Sequence, residues 1–163
     1  SLYIINVYYF FFKNVSNLNV KENTFLSLGL ILMTVSIHYC GLRCIAGLAR
    51  RWDTSNFFVP LVLMFGIALL HLLEILIYAG IFYALNTYTD LGSFTEKFKP
   101  IFRDYLYFSG ANYTTLGMSD FYPQGHFKIL AITEALAGFM MLTWSATFFY
   151  ATAGQFLNNE KTN

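Results

Sequence analysis

An all-α membrane fold is what this sequence predicts, on three observations. Of its 163 residues, 56% are hydrophobic and 20% aromatic, while only 12% are charged. Soluble domains carry about 25% charged residues, and a water-soluble fold this apolar would expose large sticky patches. The apolar residues fall into three long runs, at 25–49, 57–85 and 127–157. Each exceeds the roughly 20 residues that a helix needs to cross a hydrocarbon core of about 30 Å. The polar residues are confined to the intervals between them.

Residues 2–12 are apolar and rich in Phe and Tyr, but too short to span. They read as an interfacial segment, where an amphipathic ring has one wet end. Residues 14–23, rich in Asn, Lys and Ser, read as a polar loop, so 1–24 form one unit. Residues 25–56 hold the first span and the turn that follows it. That turn opens on Arg50, Arg51 and Trp52 and continues through the polar stretch 53–56. Lys and Arg mark the cytoplasmic side of a span, so Arg43, Arg50 and Arg51 place this turn inside. The residues before Phe25 and the interval 86–126 then face outward, and the tail 158–163 returns to the cytoplasm. Residues 57–157 form the remaining domain: an outer span, the interval and an inner span. No internal repeat is present, and the net charge of +1 offers no nucleic-acid footprint. Cys40 and Cys44, one helical turn apart, read as buried small hydrophobes, and two thiols imply no disulfide framework.

The interval 86–126 contains Tyr107-Phe108-Ser109-Gly110-Ala111-Asn112-Tyr113-Thr114-Thr115-Leu116-Gly117-Met118-Ser119-Asp120-Phe121-Tyr122-Pro123. This stretch resembles the pore loop of the potassium channel superfamily, in which a short helix ends in Thr-Thr-Val-Gly-Tyr-Gly-Asp and four such loops line an ion path with backbone carbonyls. Both threonines, Gly117, Asp120 and the following aromatic-Pro match; Leu116, Met118 and Ser119 depart from the pattern. The resemblance covers roughly residues 25–157 and looks like a small bacterial subgroup of two-helix-type channels with an extra preceding span. It implies three transmembrane helices plus a re-entrant pore helix over about 101–113, opened by Pro100, and a filter-like loop at Thr114–Asp120 returning outward in extended form. The implied permeant ion is K⁺ or another monovalent cation, held by the carbonyls of Thr115, Leu116, Gly117 and Met118 with the Thr115 hydroxyl; no cofactor is implied. Tyr107 and Ala111 become the filter supports. Ala111 aligns where some relatives carry a glutamate, which leaves Tyr107 as the alternative brace for Asp120. The implied assembly is a homotetramer in lipid, in a bacterial-type inner or plasma membrane.

Ionisable residues inside spans are costly and face protein or water. His71 and Glu74 stand i, i+3 on one helix face, and Glu134 lies inside the third run. One reading is that these three satisfy one another by hydrogen bonds. A sharper one is a transition-metal site drawing on His38, His71, Glu74 and the two cysteines, although no spacing across helices specifies it. Gly138, near the middle of the third run, can serve as a hinge or admit a close helix contact. Thr143, Ser145 and Thr147 can bond back to their own helix. The functional reading is a cation channel, not an enzyme. The alternative is a non-conducting pore-domain-like subunit among unrelated chains of a larger membrane complex, which Ser119 and the aromatic N-terminal segment favour; a membrane metalloenzyme built on His71 and Glu74 is a third.

The topology can be tested by labelling. With Cys40 and Cys44 replaced, a Thr54→Cys variant resists a membrane-impermeant thiol reagent applied to intact cells. Labelling from outside would reverse the assigned orientation.

Overall fold

The computed structural model describes residues 20–49, 51, 59–89, 91–95, 101–117 and 121–159. The expected interfacial segment, most of the basic turn, Pro100, the filter positions Met118, Ser119 and Asp120, and the end of the tail lie outside the described residues. Among the described residues, three long helices are apolar enough to cross a membrane: α1 (Val20–Ala49), α2 (Val59–Tyr88) and α4 (Phe127–Asn159). Between α2 and α4 lie a short strand β1 (Gly92–Phe94), a 12-residue helix α3 (Phe102–Tyr113) and a second strand β2 (Pro123–Gly125).

Helix α1 begins earlier than the polar composition of 14–23 suggests, since residues 20–23 are already helical. Lys21 and Glu22 are good helix formers, and neither Gly nor Pro interrupts the run until Gly29. Helix α2 has 30 residues, so it extends for about 45 Å and exceeds the hydrocarbon core. The three long helices pack against one another, and α3 is cradled between α2 and α4. Cys40 and Cys44 are exposed rather than buried, because α1 turns their face away from its partners.

Neither strand carries an alternating pattern that would mark it in the sequence. They pair antiparallel, with Gly92 opposite Gly125, Ser93 opposite Gln124 and Phe94 opposite Pro123. Proline offers no N–H to a ladder, and it is tolerated in this ribbon because each strand has a free edge. A Cβ on Gly92 would stand 2.6 Å from the Phe127 ring and 2.8 Å from the Gln124 carbonyl oxygen, so only glycine fits. The ribbon ties together the two ends of the interval that contains α3.

Phe94 is the hub of the packing beneath the ribbon. Its ring centroid lies 5.0 Å from Phe108 and from Phe121, 5.4 Å from Phe127, 5.7 Å from Tyr105 and 6.0 Å from Phe82. Most of these pairs are edge-to-face, the arrangement the ring quadrupole prefers. Deeper in the bundle, Ile75, Tyr78, Tyr113 and Met141 form a second buried group. Lipid tails are as apolar as the side chains, so helices associate in a membrane through close packing and hydrogen bonds rather than through exclusion of water.

Gly138 shows how close that packing is. A Cβ there would stand 2.1 Å from the Tyr113 carbonyl oxygen, so α4 can pass the end of α3 only at a glycine. Gly138→Ala therefore lowers the thermal stability of the detergent-solubilised protein, by about 1–3 kcal/mol for a forced overpacking. Gly47→Ala, where the added Cβ meets nothing within 4 Å, leaves it unchanged or slightly raised.

Candidate functional site

The site is built on α3. Ile101 is extended, and its N–H donates to the Asp104 carboxylate at 2.9 Å, capping the helix start. Tyr105, Phe108, Ser109 and Tyr113 are its buried residues, and their spacing marks a single helix face. The Tyr105 hydroxyl accepts from the Asn86 side-chain amide at 2.7 Å. Tyr107 is about half exposed on the outer side of α3.

Helix α3 ends in a Schellman turn. The Leu116 N–H donates to the Ala111 carbonyl at 2.9 Å, and the Thr115 N–H donates to Asn112 at 3.0 Å. The residue that turns the chain is Thr115, at φ +60, where such turns usually place glycine. The Thr114 hydroxyl bonds back to the Gly110 carbonyl at 2.7 Å, and the Thr115 hydroxyl donates to the Thr114 carbonyl at 2.7 Å. Thr114 to Gly117 thus begins as a turn and not as the extended return expected from the sequence; bonds to the last carbonyls of α3 hold it back. Thr115, Leu116 and Gly117 are exposed at the helix end, and Ala111, half-buried, also accepts from the Gly117 N–H at 3.2 Å.

Behind α3 stand two fully buried carboxyl groups, Glu74 on α2 and Glu134 on α4. Glu134 binds α3: Asn112 Nδ2 donates to its Oε2 at 2.6 Å and to the Ala131 carbonyl at 2.7 Å, while the Ser109 hydroxyl meets its Oε1. Ser109 Oγ also lies 3.0 Å from the Ile75 carbonyl oxygen on α2. Glu74 gathers a different set. His38 Nδ1 on α1 is 2.9 Å from its Oε1, His71 Nδ1 is 3.5 Å from its Oε2, and the Tyr113 hydroxyl donates to that same oxygen. His71 Nδ1 lies 2.9 Å from the Tyr113 hydroxyl. On its other side, His38 Nε2 meets the Ser145 hydroxyl of α4 at 3.1 Å.

The expected cluster of His71, Glu74 and Glu134 is therefore two clusters. His71 and Glu74 do meet, as their i, i+3 spacing suggested, whereas Glu134 bonds to α3 instead. Thr143 and Thr147 bond back to their own helix, but Ser145 reaches across to α1. Sequence reasoning missed Ser109, Asn112 and Tyr113 as partners of the carboxyls. A usable signal was present in the polar positions 109 and 112 of a helix that must lie at membrane depth, where each polar group needs a partner.

Among the described residues, three helices apolar enough to span, with a short helix ending among them and residues 115–117 exposed beyond it, make an integral multi-pass membrane protein. A family described as Ion channel matches residues 70–155. The chain belongs to this ion channel family of potassium-channel-type pore domains, which are conduits and not enzymes. No curated protein and no solved structure matches it.

The clasp around Glu74 yields a stability test. Tyr113→Phe leaves a buried carboxylate oxygen and the partly buried His71 imidazole short of a partner, a loss of about 1–3 kcal/mol. Ser36→Ala removes only an exposed hydroxyl bonded to its own helix and changes stability by less than about 0.5 kcal/mol. Thermal unfolding of both variants in one detergent checks the contrast.

Proposed function

We propose that the chain is the pore-forming subunit of a homotetrameric cation channel that conducts passively through the segment TTLGMSD at residues 114–120. The observation that carries this reading is the placement of α3: cradled between α2 and α4, it releases Thr115, Leu116 and Gly117 uncovered at its C-terminal end. That end has partial negative charge, which favours a cation. In a tetramer the carbonyls of Thr115, Leu116, Gly117 and Met118 would replace part of the hydration shell of K⁺ or a similar ion. On this reading residues 57–157 are the pore domain, with Gly138 available as a hinge in the inner helix, and residues 25–56 add a span and a cytoplasmic turn. The filter opens outward, in a bacterial-type inner or plasma membrane.

Selectivity is expected to be weak. Serine at 119 stands where the family pattern has a second glycine, and holding an L-residue in left-handed space costs about 1–2 kcal/mol. Four subunits together bear roughly 4–8 kcal/mol, enough to turn that peptide away from the ion path. Met118 lacks the phenol of the family aromatic, and Asp120 is left with Tyr107 as brace. One observation favours a second reading, a non-conducting subunit of a larger membrane complex: the Thr115 hydroxyl is bonded to the Thr114 carbonyl, so both oxygens are engaged within the loop.

Reversal potentials of the purified protein in planar bilayers, under opposed K⁺ and Na⁺ gradients, decide between them. The wild type discriminates poorly, and Met118→Tyr with Ser119→Gly sharpens selectivity for K⁺. A wild-type current already strongly K⁺-selective refutes the strain argument, and the absence of current from both proteins favours the structural subunit.

A further inference from the structure

His38, His71 and Glu74 come from two different helices and converge in the bundle interior, and their ligating atoms all lie within 4.8 Å of one another. We propose that His38 Nδ1, His71 Nδ1 and one Glu74 oxygen form a binding site for a divalent transition metal of the zinc class. Two imidazoles and a carboxylate are a donor set that zinc takes in three-ligand sites with an open fourth position. Around a tetrahedral ion with ligands at about 2.0–2.1 Å, donor atoms stand about 3.3 Å apart. His38 Nδ1 stands 2.9 Å from Glu74 Oε1 and His71 Nδ1 stands 3.5 Å from Oε2, on either side of that value, so a rotation of the carboxylate that turns one oxygen toward both imidazoles opens the site. The Tyr113 hydroxyl, in contact with both His71 and Glu74, occupies the fourth side.

The surroundings of His38 are those of a metal ligand. A ligating imidazole needs its other nitrogen held by a hydrogen bond, which fixes the tautomer and ring orientation. Ser145 Oγ stands 3.1 Å from Nε2 and can act as acceptor or donor. Without metal, Nδ1–H donates to Glu74 and Nε2 accepts from the serine. With metal, the proton sits on Nε2 and is donated to Ser145, leaving the Nδ1 lone pair for the ion with no change in the charge of the ring. His38 and Glu74 are fully buried, while His71 retains 12% side-chain exposure and provides the edge by which an ion enters. The exposed Cys40 and Cys44 take no part, so the site is all nitrogen and oxygen.

The ion would join α1, the span preceding the pore domain, to α2. It would also draw Glu74 and His71 away from Tyr113, the residue immediately before Thr114.

The test uses the full chain in detergent, stripped with a chelator and titrated with Co²⁺ as a spectroscopic substitute for Zn²⁺. The expected result is one Co²⁺ per chain, with tetrahedral ligand-field absorption that Zn²⁺ displaces, and a higher unfolding temperature with either ion. His38→Ala abolishes the signal, and replacement of both cysteines by serine leaves it intact. Ser145→Ala, which retains all three ligands and so guards against misfolding of the first variant, weakens affinity by about 10–100-fold. No saturable signal from folded wild type, thiolate charge-transfer bands, or a signal unchanged in both His38→Ala and Ser145→Ala overturns the proposal. These readouts do not require an ion current, so the metal site and the conduction reading fail separately.

Discussion

A carboxyl group at the middle of a membrane protein has no water to turn to, and Glu74 is one. It lies on α2 about 22 Å from the helix start, near the centre of a core about 30 Å thick. Leaving it without donors would cost far more than any single hydrogen bond contributes, because the full desolvation penalty then stands uncompensated. Its donors come from α1, α2 and α3, and through His38 the network continues to Ser145 on α4. A single connected set of polar side chains thereby touches each of the four described helices. The requirement that Glu74 be satisfied fixes how far along α2 the end of α3 must sit, and which face of α1 turns inward.

The outer half of the molecule solves a different problem. The interval between α2 and α4 must leave the bundle, form α3 and return, and its loops cannot expose backbone to lipid. The β1–β2 ribbon joins the two ends of that excursion, and Phe94 packs beneath it against rings from α2, α3 and α4. Aromatic rings serve well here because they cover large areas with few rotatable bonds. The polar clasp sets depth and the aromatic cluster sets position at the outer end. Bonds from Ser109, Asn112 and Tyr113 hold α3 to both α2 and α4.

The spans were legible in the sequence because membrane thickness translates directly into run length, and the runs at 25–49, 57–85 and 127–157 stand apart from their polar flanks. Helix α3 was legible through the pore-loop resemblance, and its Asp104 cap agrees with that placement. The partners of the buried carboxyls were not legible, for a physical reason. Periodicity shows which residues share a face of one helix, so His71 and Glu74 could be paired from their spacing. It carries nothing about the rotation of one helix against another, which decides that His38 meets Glu74 and that Asn112 meets Glu134. The same limit hid the strands: Gly92–Phe94 and Pro123–Gly125 are too short for an alternating pattern, and their pairing is imposed by the packing of Phe94 and Phe127.

Thr115 shows how the buried network reaches the exposed loop. A β-branched residue at φ +60 is a backbone outlier that costs about 1–2 kcal/mol, and such strain persists only where the surroundings over-determine it. Here the constraints come from the preceding residues. Tyr113 is held at its hydroxyl by Glu74 and at its carbonyl by the surface of α4 at Gly138. Asn112 is held at its side chain by Glu134 and Ala131. With the last turn of α3 anchored at both residues, the chain can leave only by the Schellman bonds to Ala111 and Asn112, and these require a left-handed residue at 115. Glycine there would remove the strain but not the turn, because the anchors that impose it are Glu74, Glu134 and Gly138. The backbone geometry at the mouth of the loop is thus set from the interior, by two carboxyl groups and one missing side chain.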